Sequence, residues 1–138
     1  MRIKVKEIEL EQLETFEENY DYFDEEIDAG VGVSFLYEKM RQRFCVSVGV
    51  RLVQSRKPLL SARLQCNFAF AEELMDSFIK NGVLSIPQCY CMECASITYN
   101  TLRGVVYGLT RRMLLNSAIL PVFDFSAVVK DGFVAEID

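Results

Sequence analysis

The stretch Thr101–Val129, TLRGVVYGLTRRMLLNSAILPVFDFSAVV, settles more about this chain than any other segment. It reads as the back half of a long helix, a short connector, a Leu-Pro break and an apolar coda. The helical part carries Gly104 and Gly108 four residues apart, on one face. Each glycine inside a helix costs about 0.5–1 kcal/mol relative to alanine. Close approach of another helix, or of the chain's own sheet, is the natural compensation. Pro121 cannot continue the helix, which therefore ends before Leu120. The coda then crowds Val122, Phe123, Phe125, Val128 and Val129 together after the main core elements are complete. Such features belong where a surface meets another chain, so polypeptide contact is favoured over catalysis.

Upstream, Cys91, Cys94, Ala95, Thr98, Leu102, Val105, Val106, Leu109 and Met113 follow helical spacing over about six turns. Ala71, Leu74, Met75, Phe78 and Ile79 form a shorter helical pattern, stopped by Asn81-Gly82. Val83, Leu84 and Ile86 make a short extended piece before Pro87. Before these, the period is two. Strands are expected at Val31–Tyr37, Phe44–Leu52 and Leu60–Phe70, the last two joined by a polar turn at residues 54–58. Arg43, Cys45, Ser47, Gly49 and Arg51, then Ser61, Arg63, Gln65 and Asn67, make the opposite faces polar. That alternation describes an antiparallel sheet covered on one side. Ile3 and Val5, then Ile8 and Leu10, form a first strand whose phase slips near Lys6-Glu7, where a bulge is expected. Residues 11–28 are an acidic crossing segment held by its aromatics, Phe16, Tyr20, Tyr22 and Phe23, if by anything. The tail after Val129 reads as short and polar, broken by Gly132. The expected fold is α+β: a four-stranded antiparallel sheet, a long helix on one face and a short C-terminal helix. One domain spans residues 1–138.

The hydrophobic fraction is 51%, with ten Phe, six Tyr and no Trp, enough for a large core, a buried interface or an exposed groove. No apolar run reaches the length of a membrane span, and the charged start is not a signal-peptide core. Five cysteines, an odd number, read as reduced thiols of a cytoplasmic protein. The net charge of −5 is uneven: residues 1–30 hold eleven acids and three bases, whereas residues 31–115 hold five acids and eleven bases. An acidic chain is a poor nucleic-acid binder, and no nucleic-acid partner is expected.

Cys89, Cys91 and Cys94 resemble a zinc knuckle, but a structural zinc needs four ligands and Cys91 and Cys94 lie on the apolar helix stripe. Core packing is the preferred reading, with no metal and no cofactor. There is no histidine, the commonest general base, and no Gly-rich phosphate loop. The chain does not read as an enzyme.

The order of elements, with Thr101-Leu-Arg-Gly104, Phe44-Cys-Val-Ser-Val48 and Leu120-Pro-Val-Phe-Asp-Phe-Ser-Ala127, resembles the SecB family of protein-export chaperones over residues 30–129. The resemblance implies an ATP-independent holdase for unfolded or aggregation-prone polypeptide. It also implies a homo-oligomer, a dimer or a dimer of dimers (a homotetramer), with long helices packed between sheets. Client grooves would then fall at Phe35, Tyr37, Leu120, Val122, Phe123 and Phe125, and Gly104 and Gly108 would suit oligomer packing. The family docks on the translocase motor through an acidic sheet surface. Here an aligned acidic position is Arg63, and Arg43 and Arg51 make that face more basic, which argues against such docking. SecB-like chaperones also serve antitoxin clients, so export and a dedicated client both fit. The alternative is a non-enzymatic oligomeric scaffold or adaptor that binds one folded partner through the basic sheet face.

Overall fold

The computed structural model describes residues 2–21, 23, 26–111 and 120–137. The four expected strands are β1 (Ile3–Thr15), β2 (Asp28–Glu38), β3 (Arg43–Gln54) and β4 (Lys57–Phe70). They form one antiparallel sheet in the order β1-β4-β3-β2. Period-two alternation puts Phe44, Val46, Val48, Val50 and Leu52 of β3 opposite Phe68, Cys66, Leu64, Ala62 and Leu60 of β4. All ten side chains are buried on one face. Burying such a side chain contributes about 1.5–3 kcal/mol, so these five pairs anchor the core. The β3–β4 turn is two residues, Ser55 and Arg56, both with positive φ (51° and 66°), the geometry that matches strand twist in a tight hairpin.

The β1 bulge lies where the phase slip places it, with a register shift between Val5 and Glu7 and a second between Leu10 and Gln12. The bulge keeps Val5, Ile8 and Leu10 on the apolar face, opposite Phe68, Cys66 and Leu64. The crossing segment joins one sheet edge to the other; Tyr20 packs against the core, and hydrogen bonds hold the segment's backbone. Phe16 N–H donates to the Leu59 carbonyl (2.9 Å) and Asn19 Nδ2 to that of Pro58 (2.8 Å). The buried Gln54 amide accepts from Asp21 N–H (2.8 Å) and donates to the Asp21 carbonyl (3.0 Å). Phe23 is almost fully exposed, and Tyr22 lies outside the described residues.

Helix α1 (Glu72–Phe78) and the long helix α2 (Gln88–Thr110) follow their apolar spacing. Helix α2 packs on β3 and β4 and buries Cys91, Cys94, Ala95, Thr98, Tyr99, Leu102 and Val106. Two expectations change: Leu109 is exposed and Tyr99 takes a central place in the stripe; Met113 lies outside the described residues. A second sheet also appears, β5 (Ile79–Lys80), β6 (Val83–Ile86) and β7 (Phe133–Glu136), in that order. The tail is thus a strand rather than a polar end, with Phe133 and Ala135 turned inward and Val134 outward. Gly132 is needed because a Cβ there would collide with the Ile86 carbonyl oxygen. The short C-terminal helix is one 3-10 turn, Phe125–Ala127.

Candidate polypeptide-binding surfaces

Residues 120–129 run back along α2 as a strap, and α2 side chains hold its backbone. Arg103 Nε donates to the Leu120 carbonyl (3.0 Å), the Tyr99 hydroxyl to that of Pro121 (2.6 Å), and Gln88 Nε2 to that of Val129 (2.7 Å). The rings of Tyr99, Phe123 and Phe125 meet at centroid separations of 4.9–6.0 Å. Asp124 accepts from Ser126 N–H and caps the 3-10 turn; that hydrogen bond holds its carboxyl below the usual carboxylate value.

The strap divides the sequence-derived residues. Leu120 and Phe125 are 3% and 2% exposed and belong to the core beside Tyr99, so they are not surface groups in this structure. Val122 is 84% exposed and Phe123 half-buried. Carbonyl anchoring at Leu120 and Pro121 holds the strap so that Leu120 and Phe125 turn in while Pro121 and Val122 face out. Of the four sequence-derived strap residues, Val122 and Phe123 offer apolar surface, and Val128 adds to it at the end of the strap.

Phe35 and Tyr37 lie on β2, an edge strand whose outer backbone groups have no neighbouring strand among the described residues. Both are half-buried and point to the apolar face, where Phe35 stacks on Phe44 (5.5 Å, nearly parallel). Burial pushes the Tyr37 phenol up. Tyr37 lines a cavity of about 440 Å³ with Lys39, Arg43, Phe70, Met75 and Ile137. Among the described residues the buried Arg43 Nε–H finds no acceptor. Phe35 joins the Phe44, Phe70 and Phe133 cluster, whereas Phe123 joins Tyr99 and Phe125; the two groups are built on different ring contacts.

Gly104 and Gly108 are exposed, and a Cβ at either would meet nothing within 4 Å. They are not in close contact with the chain's own sheet. The same flank of α2 carries Cys89, Glu93 and Ile97, which border a hollow with Arg2 and Ile3 of the β1 end. Ile97 and Gly104, seven residues apart, share that helix face. Next to it, Val5, Ile8 and Leu10 remain exposed although they face the apolar side. Sequence reasoning missed this strip. Its signal was the bulge, which aligns residues 5, 8 and 10 on one face of a strand too near the edge for α2 to cover.

Cys91 and Cys94 are fully buried in the α2 stripe, Cys45 and Cys66 are buried in the sheet, and Cys89 is exposed. Among the described residues no group of three His, Cys, Asp or Glu side chains is placed to hold a metal ion. No helix among them is long and apolar enough to cross a membrane.

A four-stranded antiparallel sheet with one long helix on its apolar face also occurs in a protein of known structure. The chain matches a solved SecB-like chaperone of Mycobacterium tuberculosis in complex with a peptide from an antitoxin, with a TM-score of 0.56 and 14% identity over 88% of this chain and 91% of that one. At that identity the likeness establishes the fold. No family model and no curated protein matches the chain.

Proposed function

We propose that this chain is a SecB-like holdase: a cytoplasmic, non-enzymatic homo-oligomer that binds non-native polypeptide without a nucleotide or other cofactor. Two observations carry the reading: the exposed apolar surface of the strap and, separately, an open strand edge at β2. Val122 and Phe123 supply apolar contact. The β2 edge supplies unpaired backbone groups flanked by Phe35 and Tyr37. Backbone pairing plus aliphatic and aromatic contact tolerates many client sequences. The neighbour was solved with an antitoxin peptide, which supports a polypeptide client of export or of a dedicated partner equally.

The second apolar strip, Val5, Ile8 and Leu10, lies beside the glycine-bearing flank of α2 and suits a second copy of the chain. Glycines with open space around them let a partner helix approach closely. Client and oligomer contacts then fall on opposite flanks of α2.

Replacing Val122 and Phe123 together with Ser tests the client surface. Affinity for a permanently unfolded client, followed by fluorescence anisotropy, is expected to fall about thirtyfold, since two apolar contacts of about 1 kcal/mol each are removed. Unchanged affinity in a folded variant rejects the strap as the client site. Binding of several unrelated unfolded proteins separates a holdase from an adaptor with one folded partner.

A further inference from the structure

The polar face of the four-stranded sheet carries a feature that client binding does not use. Gly30 and Gly32 of β2 pair with Arg51 and Gly49 of β3, and these pair with Ser61 and Arg63 of β4. Gly30 and Gly32 therefore leave an open floor, bordered by the Arg51 side chain and by the Arg63 guanidinium, which covers Gly49. With Gln12 of β1 these residues enclose a shallow hollow of about 250 Å³. Among the described residues the ion pairs are those of Arg41 with Glu7 and Glu38, so neither Arg51 nor Arg63 has a carboxylate partner. Arg63 is held in place: Nη1 donates to Ser47 Oγ (3.3 Å), and Nη2 lies over Gly49, 3.1 Å from where a Cβ would stand.

We propose that this hollow docks an extended acidic segment of a partner protein, with carboxylates two residues apart on Arg51 and Arg63. Arg51 is opposite Ser61, so Arg63 is its diagonal neighbour. Diagonal positions on an antiparallel pair lie about 7–8 Å apart. Same-side side chains of an extended peptide repeat every ~6.8 Å, which is a close match. The glycine floor lets the peptide backbone come near the sheet, and each guanidinium can take a carboxylate in a two-pronged hydrogen bond. The flank at β1 is acidic: Glu9 and Glu14 share this face through their pairs with Gln65 and Ser61, and Glu11 accepts from Ser47 Oγ (2.9 Å). A long polyanion such as a nucleic acid would be repelled there, whereas a short acidic segment spans only the basic part.

A labelled Glu-Thr-Glu-Thr-Glu peptide, titrated with the full chain and followed by anisotropy, tests the site. Binding is expected at low salt and is expected to weaken as salt screens the pair. Arg51→Gln and Arg63→Gln should each weaken binding about tenfold. Gly49→Ala, which keeps the charge but crowds the Arg63 guanidinium, should weaken it too. The Gln-Thr analogue should not bind. Circular dichroism confirms that the variants fold. No binding, binding indifferent to both arginines, or equal affinity for an oligothymidylate of the same charge overturns the proposal. So does a loss of oligomeric mass in the arginine variants without peptide, since a second copy would then be the occupant. The test is independent of aggregation suppression, so the holdase reading can fail while this site stands.

Discussion

The Cys91 and Cys94 thiols sit fully buried between α2 and the sheet, and burial pushes both above the ordinary thiol value, as it does Cys45 and Cys66. A thiol kept protonated and covered reacts slowly. Titration of the native protein with a chromogenic disulfide at pH 8 is therefore expected to show one fast thiol, Cys89, and four that react only after unfolding. Cys89→Ser should remove the fast phase; a fast phase of three thiols would show that Cys91 and Cys94 are accessible and would revive a thiolate cluster. The helical stripe made these two cysteines legible as core, because spacing alone assigns a face. Spacing could not do the same after Pro121. There, three carbonyl anchors from α2 decide that Phe125 turns in and Val122 out, and such anchors leave no periodic trace in sequence. Gly104 and Gly108 carried the same ambiguity, since a missing side chain points nowhere.

Elements with a clean period were legible and those fixed by long-range pairing were not. The strands β2, β3 and β4 and the bulge in β1 follow from alternation and one phase slip. The second sheet does not, because its strands are two to four residues long and β7 pairs with β6 across a wide gap in sequence. The strap owes its shape to a cap that should be sensitive to pH. Asp124 is held below the usual carboxylate value by the Ser126 N–H, so the folded state favours the charged form. The stabilisation is then present above the unfolded carboxyl value of about 4 and is lost as pH falls through the lower folded value. Thermal midpoints of the wild type and Asp124→Asn should differ at neutral pH and converge in strong acid, once pH has fallen through the lowered folded value and both side chains are uncharged. A gap that persists in strong acid would mean that the carboxylate charge plays no part in the cap.

At the scale of the molecule, the sheet has one face built into a core and one left polar, and α2 covers the middle of the apolar face only. Both edges stay partly open: Val5, Ile8 and Leu10 at β1, and Phe35 and Tyr37 at β2. The first edge, next to open glycines, is the one proposed to meet a second copy. Ile8→Lys with Leu10→Lys should therefore lower the mass seen by light scattering in solution to that of a smaller species, at unchanged helix content; an unaltered mass places the interface elsewhere. The second edge and the strap are the surfaces proposed to meet clients. The most direct test of the whole reading is aggregation of a chemically unfolded client diluted into buffer without nucleotide, followed by turbidity. A holdase at a stoichiometric ratio should suppress most of the turbidity for several unrelated clients, and the Val122→Ser, Phe123→Ser variant should suppress far less. Turbidity that rises as fast with the protein as without it contradicts the account.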